Sequence, residues 1–272
     1  MVVSGGRNMP ITKTSNYDIF YIDEGEGFPV FLIHGLAGDH KAWLDQIGYF
    51  KSNYRVIAVD NPGSGKSSPV TKPCTTQELA NTMLEVMENL SIDKAHIVGR
   101  SLGGFIGQWM VNTRPECVKS LVISASAAKV DPIGTRILKN MKEILEWRGN
   151  WTDWARHSNH LFFSADFFNN NPDVVKAVEA IVGDEKRSKE SYLNLNDTAL
   201  AHDFRDRLGT ITCPTLIMAG LFDPICSIQG AYEMRDNIPE SELVVFEKSS
   251  HFLLVEEYEK ALNTLDNWFK KN

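Results

Sequence analysis

Three residues whose types can together perform nucleophilic catalysis occur along the chain in the order Ser101, Asp223 and His251. A histidine can take the proton of a serine hydroxyl, and a carboxylate can hold that histidine in the required tautomer. The activated serine oxygen can then attack a carbonyl carbon. We therefore predict that Ser101 is a nucleophile, that His251 is its base and that Asp223 orients the histidine.

Ser101 lies in the segment Gly99-Arg100-Ser101-Leu102-Gly103, which matches the pattern G-x-S-x-G. The pattern describes a sharp turn between a strand and a helix, where small neighbours are needed because a Cβ would clash with nearby backbone. Free N–H groups at the start of the helix would stabilise an oxyanion. The ordinary alternative is a glycine-rich turn in which a serine caps a helix.

Each of the three residues follows a short apolar run that predicts a buried strand. These runs are residues 95–98, 216–218 and 244–246. Amphipathic helices are predicted at about residues 75–90, 102–112, 228–237 and 256–269. The alternation is typical of an α/β fold with a mostly parallel twisted sheet flanked by helices. Because ligands bind at the carboxyl ends of parallel strands, the three residues should meet at that edge.

Another pair of strands is predicted near the start of the chain. Alternating side chains indicate a strand over Tyr17–Ile22, glycines indicate a turn at Gly25–Gly27, and an apolar run indicates a buried strand over Pro29–Ile33. We interpret the two strands as a hairpin. Further along, Thr75 or Thr76 is predicted to cap the helix that follows.

Between residues 128 and 206 the pattern changes to helical periodicity without strands. We predict that 128–206 form a helical cap inserted into an α/β core made of residues 1–127 and 207–272. Aromatic side chains on such helices could line an apolar substrate pocket above Ser101. The candidates are Trp147, Trp151, Trp154 and Phe162. The alternative is that these aromatics form only the core of the cap itself.

Composition excludes several classes of protein. A net charge of −7 without a basic stripe disfavours nucleic-acid binding. The 4 cysteines include no C-x-x-C pair, so neither a zinc knuckle nor a redox motif is predicted. No run approaches the roughly 18 apolar residues of a membrane span, and the first ten residues lack a secretory core. We expect a cytoplasmic monomer or homodimer that binds neither nucleic acid nor membrane.

Over nearly its whole length the sequence resembles the α/β-hydrolase superfamily. The segment His34-Gly35-Leu36-Ala37-Gly38 is similar to the family's loop before the first helix, and Asp60–Ser67 is similar to its turn after the following strand. The latter ends like a phosphate loop, but Asp60 stands where such a loop has glycine. The resemblance implies that the backbone N–H groups of Leu36 and Leu102 form an oxyanion hole. The implied acyl transfer needs no metal or organic cofactor.

Arg100, beside the predicted nucleophile, departs from many relatives, which have His, Asn, Trp or Tyr there. In the family this side chain generally points away from the substrate, so we expect Arg100 to be structural and to pair with an acid below the sheet. We expect surface positions for His157, His160 and His202. The acid that serves His251 stays open, because Asp131, after the strand predicted at Val118–Ile123, is an alternative to Asp223.

The resemblance implies hydrolysis of a carboxylic ester or lactone of a small, mainly apolar, small-molecule substrate through an acyl-enzyme. An alternative is carbon–carbon bond hydrolysis of the meta-cleavage type. That group usually has Asn before the nucleophile and Trp shortly after the histidine, where this chain has Arg100 and Phe252-Leu253-Leu254. Dehalogenases and epoxide hydrolases of the same scaffold use Asp as nucleophile, so Ser101 disfavours both. A signal receptor with an intact but slow triad is the third alternative.

Overall fold

The computed structural model describes residues 10–272; residues 1–9, on which the expectation about a secretory signal mainly rests, lie outside the described part. The strands are β1 (Ile11–Lys13), β2 (Asp18–Glu24), β3 (Phe28–Ile33), β4 (Tyr54–Val59), β5 (Ala95–Arg100), β6 (Val118–Ser124), β7 (Thr215–Gly220) and β8 (Ser241–Phe246). They form one sheet in the order β1-β2-β4-β3-β5-β6-β7-β8. Strands β3 to β8 are parallel, whereas β1 and β2 run antiparallel to their neighbours. The predicted mostly parallel sheet is confirmed.

The α-helices of the described chain alternate with the strands in both halves of the sheet. They are α1 (Leu44–Phe50), α2 (Thr76–Asn89), α3 (Leu102–Thr113), α4 (Pro132–Arg148), α5 (Trp151–Ser158), α6 (Ala165–Asn170), α7 (Pro172–Val182), α8 (Lys189–Ala201), α9 (Ile228–Asn237), α10 (Leu253–Glu256) and α11 (Tyr258–Lys271). Thr75 caps α2, as predicted, in a capping box with Glu78. The last predicted helix is divided at Glu257 into α10 and α11.

Side chains of the central strands alternate between two hydrophobic cores because successive residues of a strand point to opposite faces. Phe31 and Ile33 of β3 belong to one core, which includes residues of α2, α3 and α9. Val30 and Leu32 belong to the other, which includes residues of α1 and α11. Helices therefore cover both faces of the sheet, and its edges are left for loops; ligands of such sheets bind at the carboxyl edge.

The predicted hairpin between the first two long strands is wrong. β2 pairs with β4, with Tyr21 opposite Val59, and β4 lies between β2 and β3. The turn at Gly25–Gly27 therefore passes over the first residues of β4 and does not join two strands that are neighbours in the sheet. A Cβ on Gly25 would overlap the carbonyl oxygens of Lys51 and Tyr54 just before and within β4, which explains the glycine. Local turn residues do not reveal which strand will be inserted between two others.

Helices α4 to α8 all lie between β6 and β7, in the segment 128–206 that the sequence predicts as a cap. Their buried aromatics pack on one another: the ring centroids of Trp151 and Trp154 are 5.3 Å apart, and Tyr192 lies 5.2 Å and 5.3 Å from them. The same cluster continues into the core beneath α2 and α3. In the described residues no helix combines the length and the apolar character needed to cross a membrane.

Candidate active site

Ser101 occupies a strained turn directly between β5 and α3. Its φ of 52° lies in the left-handed region that non-glycine residues rarely adopt. Three hydrogen bonds hold the turn: the N–H of Ser101 donates to the oxygen of Ser124 (2.9 Å), and its carbonyl accepts from the N–H of Gly104 (2.8 Å) and the hydroxyl of Ser126 (2.8 Å). The surrounding chain thus fixes the serine at the carboxyl end of the central strand.

Glycines around this turn are required by close backbone approach. A Cβ on Gly99 would overlap the carbonyl of Gly103, and a Cβ on Gly103 would overlap the carbonyl of Ile33 at the end of β3. A Cβ on Gly35 would lie 3.0 Å from the Cβ of Ser101. The loop after β3 therefore passes directly beside the serine, as the sequence motif predicts.

His251 and Asp223 meet at the same edge of the sheet. The Nδ1 atom of His251 lies 2.7 Å from Oδ2 of Asp223, and the two residues are 5% and 4% exposed. The other carboxylate oxygen of Asp223 accepts the N–H groups of Ile225 (2.8 Å) and Cys226 (3.0 Å). With Nδ1 donating to the carboxylate, the neutral imidazole has its lone pair on Nε2. Asp131, the alternative acid, instead accepts the N–H of Gly134 and caps α4.

The loop that carries His251 is braced by a residue that the sequence does not single out. Glu256 accepts the N–H of Ser250 through one carboxylate oxygen and the N–H of Ser164 through the other, each at 2.8 Å. Burial raises the pKa of this carboxyl. The N–H of Phe252 also donates to the carbonyl of Phe162 at 2.9 Å. These contacts tie the histidine loop to the helical segment between β6 and β7.

His34 holds the loop that approaches Ser101. Its Nε2 accepts the N–H of Asn61 at 3.0 Å, so the proton of the neutral ring is on Nδ1, which donates to the carbonyl of Gly35 at 2.7 Å. Burial lowers the pKa of this histidine, which favours the neutral form. Leu36 follows Gly35 and borders the same cavities as Ser101. Leu102 is the first residue of α3, where N–H groups have no acceptor within the helix.

A contact from the helical segment also holds this loop. The guanidinium of Arg187 donates to the carbonyl of Ala37 at 2.6 Å and lies 3.5 Å from the carboxylate of Asp39. Asp39 in turn accepts the N–H of Lys41. Arg187 thus holds Ala37, the residue one position beyond the predicted oxyanion donor Leu36. Sequence reasoning missed Arg187 because it is 150 residues away along the chain.

Ser101 and His251 border a shared cavity of about 50 Å³, and a smaller one of about 30 Å³ adjoins both side chains. Among the described residues no hydrogen bond joins the two side chains directly. Of the predicted pocket aromatics, Trp154 and Phe162 border both cavities. Trp151 is buried and borders an outer cleft instead. The prediction for Trp147 is wrong: it is 78% exposed, because it lies on the solvent side of α4 beneath Arg148.

Two further expectations are corrected by the structure. Arg100 borders the cavity of Ser101, and no acid within the described chain pairs with it; its guanidinium lies 4.8 Å from the ring centroid of Phe252. His202 is buried, stacked on Phe105 at 4.3 Å. Sequence gives the position of each residue along its element but not the direction of a long side chain at the end of a strand.

Potential metal ligands come together in two places within the described residues. Asp223, Cys226 and His251 form one group, and Asp39, His40 and Asp60 form the other. In each group the histidine Nδ1 is already bonded to a carboxylate, at 2.7 Å and 2.8 Å. Burial raises the pKa of the Cys226 thiol well above its usual range, and nearby carboxylates add to the effect. In each group, a hydrogen bond within the chain already joins the histidine Nδ1 to a carboxylate oxygen.

Comparison with known proteins agrees with this geometry. A family model of the alpha/beta hydrolase fold matches residues 29–258. The chain therefore belongs to the family of hydrolases with this fold. It is 28% identical to RutD of Azorhizobium caulinodans, which is named for carbamate hydrolysis, over 89% of this chain and 91% of that one. It is 29% identical to 3-oxoadipate enol-lactonase 1 of Acinetobacter baylyi, over 87% and 86% of the two chains.

Solved structures give the same fold. The enol-lactonase from Burkholderia xenovorans LB400 superposes with a TM-score of 0.88 at 21% identity, covering 96% of this chain and 100% of the other. Similarity at this identity concerns the fold. The eight-stranded sheet and the carboxyl-edge loops described above are thus those of a known hydrolase architecture.

Proposed function

We propose that the chain is a serine hydrolase that cleaves a carboxylic ester or a lactone of a small, mainly apolar substrate through an acyl-enzyme. One observation carries the proposal. Ser101, at positive φ after β5, borders the same cavity as His251, and Nδ1 of His251 is bonded to the buried Asp223. The relatives named for lactone and carbamate hydrolysis support cleavage of a bond to a carbonyl carbon.

The first step uses the nitrogen of His251 that faces away from the acid. Nε2 takes the proton of Ser101 as Oγ forms a bond to the substrate carbonyl carbon. The carbonyl π electrons move to its oxygen, which becomes an oxyanion. When the tetrahedral intermediate collapses, the alkoxy oxygen leaves with the proton from His251, and the acyl group remains on Ser101. Asp223 stabilises the imidazolium that exists between these events.

In the second step water loses a proton to His251 and attacks the acyl carbon, and Ser101 leaves with that proton. Both tetrahedral intermediates carry an oxyanion, and we assign the N–H groups of Leu36 and Leu102 as its donors. Loss of one such donor costs about 3 kcal/mol of transition-state stabilisation in enzymes of this chemistry. The braces on the loop of Leu36, His34 from the core and Arg187 from the helical segment, support its assignment as a donor.

We also propose that residues 128–206 act as a cap that bounds the substrate. Trp154 and Phe162 from this segment border the cavity of Ser101. A water needs about 10–15 Å³ of such space, so a cavity of about 50 Å³ holds only a few water molecules. Its size favours a short acyl or lactone group, and its aromatic walls favour an apolar one.

The test is hydrolysis of 4-nitrophenyl esters from acetate to dodecanoate, together with simple lactones followed by acid release. We expect turnover with a short-chain optimum. Ser101→Ala should lower kcat by about a million-fold, because it removes the nucleophile. Ser124→Ala is the matched control: it deletes a buried serine hydroxyl that has no partner, at the end of the neighbouring strand.

Equal activity in wild type and Ser101→Ala would contradict the proposal. Folded wild type that is inactive on every ester and lactone would also contradict it. In that case turnover of vinylogous ring-fission diketones would identify a carbon–carbon hydrolase. Tight ligand binding with negligible turnover would identify a receptor.

A further inference from the structure

Arg100 is a positively charged residue beside the cavity of Ser101. It is the last residue of β5, directly before Ser101, and it borders the cavity shared by Ser101 and His251, as does Phe252, whose ring its guanidinium approaches. In the described chain its guanidinium makes neither a hydrogen bond nor an ion pair, and its Nε atom is fully buried without a partner. The guanidinium lies 4.8 Å from the ring centroid of Phe252.

An unpaired cation in such a place is costly. Burial lowers the pKa of Arg100 to about 10, so the group is still charged at neutral pH. Arg100 is half-buried, removal of an ion from water is unfavourable, and an aromatic ring offsets only part of that cost. Arg55 and Arg187, by contrast, both reach carboxylates, at 2.7 Å and 3.5 Å. Arg100 is thus a charge whose partner is absent from the residues around it.

We propose that Arg100 binds a carboxylate on the substrate, so that the substrates are esters or lactones bearing an acid group away from the bond that is cleaved. This inference rests on the proposed function, because it names the substrate class of that same site. A guanidinium offers parallel N–H groups that match the two oxygens of a carboxylate. A small planar anion suits the small cavity, and Trp154, Phe162 and Val182 can cover the hydrocarbon between the two ends.

Two roles for the charge of Arg100 can be distinguished by the choice of substrate. If Arg100 binds a remote carboxylate, its contribution depends on whether the substrate carries one. If Arg100 instead stabilised the oxyanion at the reacting carbonyl, its contribution would be the same for charged and neutral esters. Matched substrates therefore separate the roles. Monomethyl glutarate and methyl 5-oxohexanoate serve as the pair, because they differ only in a carboxylate oxygen replaced by a methyl group.

We expect wild type to prefer monomethyl glutarate, measured as the ratio of the two kcat/KM values by methanol release. Arg100→Met keeps an unbranched apolar stem and removes the charge. It should lower this ratio at least about 10-fold, which is the contribution of a hydrogen bond between charged groups. Arg100→Lys keeps the charge but not the fork, and should retain an intermediate ratio. Arg148→Met is the control, because Arg148 also lies over an aromatic ring, that of exposed Trp147.

A wild type without preference, or equal loss on both esters in folded Arg100→Met, would overturn the proposal. A second measurement is independent of turnover. Glutarate should bind to Ser101→Ala in titration calorimetry and bind at least about 10-fold more weakly once Arg100→Met is added. If neither ester is hydrolysed but glutarate binds in this Arg100-dependent way, the hydrolase proposal fails and the anion site stands. If esters are hydrolysed without these Arg100 effects, only the anion site fails.

Discussion

Two histidine–aspartate pairs occur at the carboxyl edge of the sheet, and their local geometry is nearly the same. Nδ1 of His251 lies 2.7 Å from Asp223, and Nδ1 of His40 lies 2.8 Å from Asp60. Both carboxylates are buried, at 4% and 0% exposure, and both accept backbone N–H groups. A histidine held by a buried aspartate is therefore not sufficient to mark a catalytic site in this protein.

The two pairs differ in the surroundings of each histidine on the side away from its aspartate. His251 borders the cavity that contains Ser101. His40 packs against Phe20 at 4.9 Å, and its aspartate closes the loop after β4 by accepting the N–H of Lys66 at 2.8 Å. Burial raises the pKa of Asp60, but the hydrogen bond from His40 and other neighbours outweigh burial and hold it below its usual range. One pair borders the cavity of Ser101, and the other holds the loop after β4.

The strongest test of this difference replaces each acid by its amide. Asp223→Asn should lower kcat on a good ester by about ten-thousand-fold, because the amide favours the wrong tautomer of His251. Asp60→Asn should change kcat by less than about tenfold but lower the free energy of unfolding by about 1–3 kcal/mol, because it removes a buried charged hydrogen-bond acceptor. Steady-state kinetics and urea denaturation of both variants measure the two effects.

Ester hydrolysis by Ser101→Ala supplies the background rate for this comparison. If the two amide variants lost activity equally, the assignment of separate roles would be wrong. Loss of kcat only in Asp60→Asn would move the catalytic role to the other pair.

The part of this site that sequence could predict is the part fixed by local order along the chain. Ser101, Asp223 and His251 each follow a short apolar strand, and parallel strands bring their carboxyl ends to one edge. The G-x-S-x-G pattern adds the turn geometry, because the nearby backbone leaves no room for a Cβ at Gly99 or Gly103. No contact between distant residues needs to be known for these steps.

The unpredicted part depends on contacts between residues far apart in sequence. Arg187 reaches Ala37 from 150 residues away, and Ser164 donates to Glu256 from 92 residues away. The insertion of β4 between β2 and β3 is likewise a property of the whole sheet. Side-chain direction is a further limit: the guanidinium of Arg100 lies over Phe252 and Trp147 lies exposed on α4, and neither placement follows from residue type.

His202 is a buried histidine that has no carboxylate partner among the described residues. His202 accepts or donates one hydrogen bond with Thr76 at 3.0 Å, and its Nε2 has no partner in the described chain. Burial lowers its pKa to about 3, and the charge of Asp203 only partly opposes this. The unfolded state, with a histidine pKa near 6.5, binds the proton first as the pH falls. Stability from neutral His202 is thus complete above about pH 7 and is lost from about pH 6.5 down toward pH 3.

His202→Gln should remove this acid sensitivity. Between pH 7 and pH 5 the wild-type free energy of unfolding should fall by about 2 kcal/mol more than that of the variant, as the two pKa values require. Urea denaturation at pH 7, 6 and 5 measures the difference, and exposed His157→Gln is the control. Parallel pH curves for wild type and His202→Gln would contradict the prediction, because they would show that His202 has the same pKa in the folded and unfolded states.

An aspartate without a histidine completes the comparison and gives the smallest expected effect. Asp131 accepts the N–H of Gly134 at 2.8 Å as the cap of α4. Asp131→Ala should lower the free energy of unfolding by about 1 kcal/mol, whereas Asp131→Asn should change it little, because asparagine caps helices as well. Neither should change kcat appreciably, since His251 is bonded to Asp223. A loss of kcat in Asp131→Asn as large as that in Asp223→Asn would contradict the assignment of Asp223 as the acid that serves His251.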